Sequence, residues 1–64
     1  MLRINGQDMD LAGQNLQQVL SQEGYQLDRV VVERNLEIVP KEQYADIILA
    51  DGDSIEVLNF VGGG

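Results

Sequence analysis

The sequence predicts an α+β sandwich of two layers, with one mixed sheet covering one helix. Three observations lead there. Asn5-Gly6 stands between two short stretches with apolar residues at alternate positions, the strongest short-range hairpin signal. A single segment, Asn15 to Gly24, spaces its apolar residues as a helix does and has capping residues at both ends. Three further runs, 29–33, 36–39 and 54–61, are β-branched or alternating, as half-buried strands are.

Leu2-Arg3-Ile4 is the first strand, and residues 7–11 return as the second, with Met9 and Leu11 on one face. After the connector Ala12-Gly13-Gln14, Asn15 is placed to cap a helix, and Gln18 completes a pattern like a capping box. Leu16, Val19 and Leu20 form one apolar stripe, while Gln17, Gln18, Ser21 and Gln22 face outward. Gly24 suits the left-handed position that ends a helix, and Tyr25 would fold back on the last turn. The helix is then about two and a half turns long.

Residues 29–33 predict a third strand, followed by a turn near Arg34-Asn35. Residues 36–39 return as a fourth strand, stopped by Pro40, which has no N–H to donate to a ladder. Residues 41–45 predict a short helical turn starting at Pro40, anchored to the core by Tyr44 and by Ile47 or Ile48. Asp51-Gly52-Asp53 is a turn, and the fifth strand follows. The expected division is a folded domain over residues 1–61 and a flexible tail over 62–64.

Composition limits the chemistry. A chain of 64 residues buries a thin core and cannot wall a deep pocket on all sides. With no Cys and no His, it has no thiol nucleophile, no imidazole base and no zinc site of the usual kinds. Packing alone must hold it together, and a hydrophobic content of 44% allows that. Independent catalysis is not expected. A net charge of −7 argues against nucleic acid, which needs a basic footprint, and suits either a basic protein surface or simple solubility. The longest aliphatic run, Ile47-Ile48-Leu49-Ala50, is too short to span a bilayer. No signal peptide is evident, so the cytoplasm is the expected compartment.

The last strand carries the functional signal. Ile55 and Val57 share the face assigned to the core, so parity sends Glu56, Leu58 and Phe60 to the other. Leu and Phe at successive outward positions predict an exposed apolar patch, a common mark of an interface. Local cover or a register-flipping bulge is the alternative. Gly62-Gly63-Gly64 follows directly. Glycine packs poorly and holds no one shape, so these residues predict a thin, pliable arm that carries the Gly64 α-carboxylate. Ordinary fraying of a chain end is the bland alternative.

Together the Asn-Gly hairpin, the single leucine-rich helix, Val-Glu-Arg-Asn-Leu-Glu-Ile-Val-Pro-Lys-Glu at 32–42, Asp51-Gly52-Asp53-Ser54-Ile55-Glu56 and the terminal Gly63-Gly64 resemble the ThiS family. These are ubiquitin-like sulfur carriers of thiamin thiazole synthesis. The resemblance covers the whole chain, including its length and the point where it stops. One departure is a third glycine, Gly62, which lengthens the arm. The resemblance implies a β-grasp fold, a five-stranded sheet with the first and last strands parallel and adjacent at its centre. It implies that a ThiF-like enzyme uses ATP and magnesium to adenylate Gly64, with Gly63 leaving the approach to its carbonyl unhindered. Sulfur from a cysteine desulfurase-type source then gives a thiocarboxylate, which a ThiG-like thiazole synthase consumes. Leu58, Phe60, Glu56 and Gly62 would meet the partners. The chain itself would bind no cofactor and be a monomer when free. Asp51 and Asp53 would pair with basic partner residues or simply form the turn.

Other readings share these features. A MoaD-like carrier or a carrier for amino-acid biosynthesis would use the same Gly-Gly chemistry. A ubiquitin-like modifier would join Gly64 to lysines on targets. A plain interaction domain would function without Gly63 and Gly64, and a self-sufficient enzyme is the reading least compatible with the composition.

Overall fold

The computed structural model describes residues 1–60, so the expectations for Val61 and for the arm at 62–64 lie outside it. Five strands and one α-helix order the described residues: β1 (Leu2–Ile4), β2 (Gln7–Met9), α1 (Leu16–Gln22), β3 (Val30–Arg34), β4 (Glu37–Ile38) and β5 (Ser54–Asn59). They form one sheet in the order β2-β1-β5-β3-β4. β1 and β5 run parallel at its centre, and the remaining neighbours are antiparallel. The expected mixed sheet with parallel first and last strands is what forms.

Asn5 and Gly6 adopt positive φ (51° and 82°), the backbone that a two-residue hairpin loop needs. β1 then pairs with β2 in the register Leu2 to Met9 and Ile4 to Gln7. Asn5 also extends the parallel ladder. Its N–H donates to the Ile55 carbonyl at 2.9 Å, and its Oδ1 accepts from the Val57 N–H at 2.8 Å. β2 stops at Met9, short of the expected Leu11, although both side chains still pack against the core. It is an edge strand, and only β1 is there to hold it.

α1 is capped as its sequence predicts at both ends. The Asn15 Oδ1 accepts from the Gln18 N–H at 3.2 Å. At the other end Gly24 has φ 88°, its N–H donates to the Ser21 carbonyl, and the Tyr25 N–H reaches back to Leu20. That is the paired closure of a Schellman motif. With seven residues the helix is nearer two turns than two and a half. Leu16, Val19 and Leu20 are buried against Leu2, Ile4, Val30, Val32, Ile55 and Val57 of the sheet, with Val39, Tyr44 and Leu49 completing the core.

Between α1 and β3, Leu27–Arg29 makes a 3₁₀ turn that the sequence reading missed, so β3 begins at Val30, not Arg29. The following turn is Asn35-Leu36, one residue later than expected. Both residues have positive φ (53° and 71°), and β4 is reduced to Glu37–Ile38. A leucine held there costs about 1–2 kcal/mol relative to ordinary backbone, which is why the sequence pattern assigned Leu36 to the strand. Pro40 precedes a 3₁₀ helix at Lys41–Asp46, where a short helical turn was expected, and Tyr44 is buried. Of the two candidate anchors, Ile47 packs on the core and Ile48 is exposed.

The turn before β5 is organised by Asp53. One of its oxygens, Oδ2, accepts from the Ala50 N–H at 2.9 Å and lies 3.0 Å from both Nε and Nη2 of Arg34. The other, Oδ1, accepts from Asn35 Nδ2 at 3.1 Å, and the Asn35 Oδ1 accepts from the Ser54 N–H at 2.9 Å. Burial pushes the Asp53 carboxyl up, but these hydrogen bonds and the guanidinium charge outweigh it and hold the group below the usual Asp value. A folded pKa below the unfolded one means the stabilisation is present above about 3.9 and is lost as pH falls through the folded value. Asp53→Asn is therefore expected to cost roughly 1–3 kcal/mol at neutral pH. It should also flatten the acid side of the stability curve below about pH 4, read by urea unfolding across pH. An unchanged acid slope would show that another group carries it.

Candidate functional site

β5 lies in the middle of the sheet, so each of its faces has a neighbour on both sides. Ile55 and Val57 point into the core and are nearly fully buried. Glu56 and Leu58 point the other way, and that face has no layer over it among the described residues. Leu58 is 53% exposed and Phe60 59%, so the predicted apolar patch is open to solvent. The Phe60 N–H donates to the Arg29 carbonyl at 2.8 Å. The ladder thus holds the chain one residue past β5.

Pairing with β3 and β4 adds residues that the sequence reading did not single out. Val31 stands opposite Leu58, Glu33 opposite Glu56, and Ile38 opposite Glu33. Ile38 is 69% exposed, so the apolar surface spreads across three strands. Beside it a shallow groove is lined by Val31, Ile38, Pro40, Lys41 and Phe60. The outward parity of Val31 and Glu33 was readable in β3, but which side chains they would meet depended on register. Gly62, Gly63 and Gly64 lie outside the described residues.

Of the two aspartates expected either to pair with a partner or to form the turn, Asp53 serves local structure. Asp53 is 8% exposed and engaged with Arg34 and Asn35, while Asp51 accepts from the Met1 ammonium across the 51–52 turn. No group of three or more potential metal ligands occurs among the described residues. No described helix is long and apolar enough to cross a membrane. What the surface offers is a flat apolar face with carboxylates set into it.

A central parallel β1–β5 pair, antiparallel flanking strands and one helix across a single face define the β-grasp class of ubiquitin-like proteins. The ThiS family model matches residues 2–64, and the chain belongs to the ThiS family. It is 44% identical to the sulfur carrier protein ThiS of Bacillus subtilis, with all of both chains covered. It is also 44% identical to a thiazole synthase of Paramagnetospirillum magneticum and 36% to one of Magnetococcus marinus. Each match takes in 98% of this chain but only 20% of the synthase. The chain thus spans about a fifth of the length of those two relatives. A crystal structure of the thiamine biosynthesis protein ThiS from Geobacter metallireducens superposes with a TM-score of 0.74 at 36% identity. That match covers 98% of this chain and 97% of the other.

Because Leu58 is exposed and Val57 buried in one strand, substitutions at these neighbours should differ sharply. Leu58→Ser is expected to change unfolding free energy by no more than about 0.5 kcal/mol. Val57→Ala should cost about 2 kcal/mol through lost burial and a cavity. Chemical denaturation of both reads the contrast, and comparable losses would mean that the Leu58 face is covered.

Proposed function

We propose that the chain is a sulfur carrier for formation of the thiazole ring of thiamin, holding sulfur as a thiocarboxylate on Gly64. The observation that carries this reading is the full-length match to the Bacillus subtilis sulfur carrier, and the open apolar face leading toward the C-terminal glycines supports it. The thiazole synthase matches support the use of the sulfur in that ring. The protein is a carrier acted on by enzymes, and its lack of Cys agrees with sulfur riding on the terminus.

A free α-carboxylate has a pKa near 3.3–3.7, so at neutral pH it is an anion that resists nucleophiles. Activation is required. A ThiF-like partner, using its own ATP and magnesium, joins the Gly64 carboxylate to the α-phosphate and releases pyrophosphate. A cysteine desulfurase-type donor presents the sulfur as a persulfide, whose outer sulfur attacks the acyl carbon and expels AMP. A second thiol of the donor system then cleaves the acyl disulfide, leaving that sulfur on Gly64 and a disulfide on the donor. The resulting thiocarboxylate passes to a ThiG-like thiazole synthase, and the carboxylate returns. Gly63 and Gly64 give the reacting carbonyl no side-chain cover, and Gly62 extends the reach. Leu58 and Phe60 dock, Glu56 meets a basic partner residue, and the adenylating enzyme receives the arm. This work belongs to the cytoplasm, where the free carrier is a monomer.

The direct test is intact mass after incubation with the adenylating enzyme, ATP and a sulfur source. Replacement of one terminal oxygen by sulfur is expected. A Gly64-to-lysine conjugate instead would make the chain a protein modifier, and no change with an active partner would end the carrier reading. Phe60→Asp should keep the fold, since the side chain is already exposed, and weaken binding to the adenylating enzyme at least tenfold, about 1.4 kcal/mol. Calorimetry measures that affinity, and an unchanged value would remove Phe60 from the dock.

A further inference from the structure

The carboxamide of Asn5 stands in for a main-chain peptide. β1 ends at Ile4, and Asn5 turns away at φ 51° to begin the hairpin loop. Its N–H still donates to the Ile55 carbonyl at 2.9 Å. The next rung of a parallel ladder would use the Asn5 main-chain carbonyl, and here the side-chain Oδ1 accepts from the Val57 N–H instead, at 2.8 Å. Nδ2 donates to the Val57 carbonyl at 3.4 Å and to the Tyr25 hydroxyl at 3.3 Å.

The next residue is Gly6, exposed and with nothing within 4 Å of the place a Cβ would take. An asparagine amide is most open to attack by the following main-chain nitrogen when that residue is glycine, because no Cβ crowds the ring that forms. Of the four asparagines, Asn15 and Asn35 precede leucine and Asn59 precedes phenylalanine, so Asn5 alone has this neighbour. The amide that completes the ladder is also the most labile amide of the chain.

We infer that Asn5 is a site of spontaneous deamidation, and that the β1–β5 ladder gates it. The Gly6 nitrogen gives up its proton and attacks Asn5 Cγ, ammonia leaves, and a succinimide ring closes. Water then opens the ring at either carbonyl, giving aspartate or isoaspartate. While the carboxamide is bound to Val57 it is directed at β5 with both polar atoms engaged, so the reaction waits for the ladder to open there. Neither product restores the contact. Aspartate sets a carboxylate oxygen where Nδ2 met the Val57 carbonyl, acceptor against acceptor. Isoaspartate moves a methylene into the main chain of a loop that depends on φ 51° and 82°. Deamidation therefore weakens the hold on β5, and no part of it depends on sulfur transfer.

The test holds the full chain in mildly alkaline buffer, folded and in unfolding guanidinium chloride, and follows it by intact mass and peptide mapping. The amide-to-acid mass gain should map to Asn5 and form at least about tenfold faster in the unfolded chain. Val57→Ala removes burial but keeps the main chain of that rung, and should speed the folded-state reaction about five- to thirtyfold. Guanidinium below the unfolding midpoint should speed it in the original chain as well. Asn5→Asp should unfold at a lower guanidinium concentration than the original. Asp51-Gly52 forms the same ring by losing water, but hydrolysis returns its mass, so the acid gain reports amide loss alone.

Equal rates in the folded and unfolded chain, or no acceleration by Val57→Ala and by mild denaturant, would overturn the gate. A gain mapped to another asparagine, or none at Asn5 in the unfolded chain, would overturn the site. An unfolding midpoint for Asn5→Asp equal to the original's would overturn the weakening of β5.

Discussion

The Asp53 carboxylate joins three parts of the chain that are far apart in sequence. It closes the turn at 50–53, takes the Arg34 guanidinium at the end of β3, and holds Asn35 in the β3–β4 turn. The first residue of β5 is fixed by that same Asn35. A domain of this size has on the order of 3–10 kcal/mol of net stability, so one buried, fully partnered carboxylate is a large share of it. The register of β5 against β3 follows from the node, and with it every opposition on the outer face.

That register gives the two faces of β5 different tasks. Ile55 and Val57 close the core under α1, and the β1–β5 ladder, lengthened by the Asn5 side chain, keeps the strand central. The strand can then leave Leu58 and Phe60 in solvent without loss of the fold, because its other face carries the burial. A carrier needs this separation. The packed side supplies rigidity, while the other side stays open to solvent among the described residues. The electrostatics follow the same division, with Asp53 neutralised inside and Glu33 and Glu56 unpaired among the described residues outside.

Much of this was legible in the amino-acid order. The Asn5-Gly6 hairpin, the Asn15 cap and the Gly24-Tyr25 closure rest on contacts within a few residues, where local rules decide, and the shared face of Ile55 and Val57 on the two-residue period of a strand. The outward Leu58 and Phe60 followed from parity alone. The elements misplaced were those where neighbours distant in sequence overrule local preference. Leu36 reads as a strand residue yet turns with φ 71°, because Arg34 and Asn35 on one side are tied to Asp53, nearly twenty residues away. Between Ile47 and Ile48 the local pattern left the anchor open, and the tertiary packing turns Ile47 inward and leaves Ile48 exposed.

The sequence by itself determined the class of fold, the single capped helix, the lack of thiol and imidazole chemistry, and the family resemblance that points to Gly64. Those depend on residue type and short spacing. Only the tertiary structure decided that Val31, Glu33 and Ile38 share a surface with Glu56 and Leu58, and that Asp53 is bound inside while Glu33 faces Glu56 outside. The physical reason is strand register. A shift of one residue turns every side chain of a strand to the other face, and register is set by hydrogen bonds between segments that the linear order keeps apart.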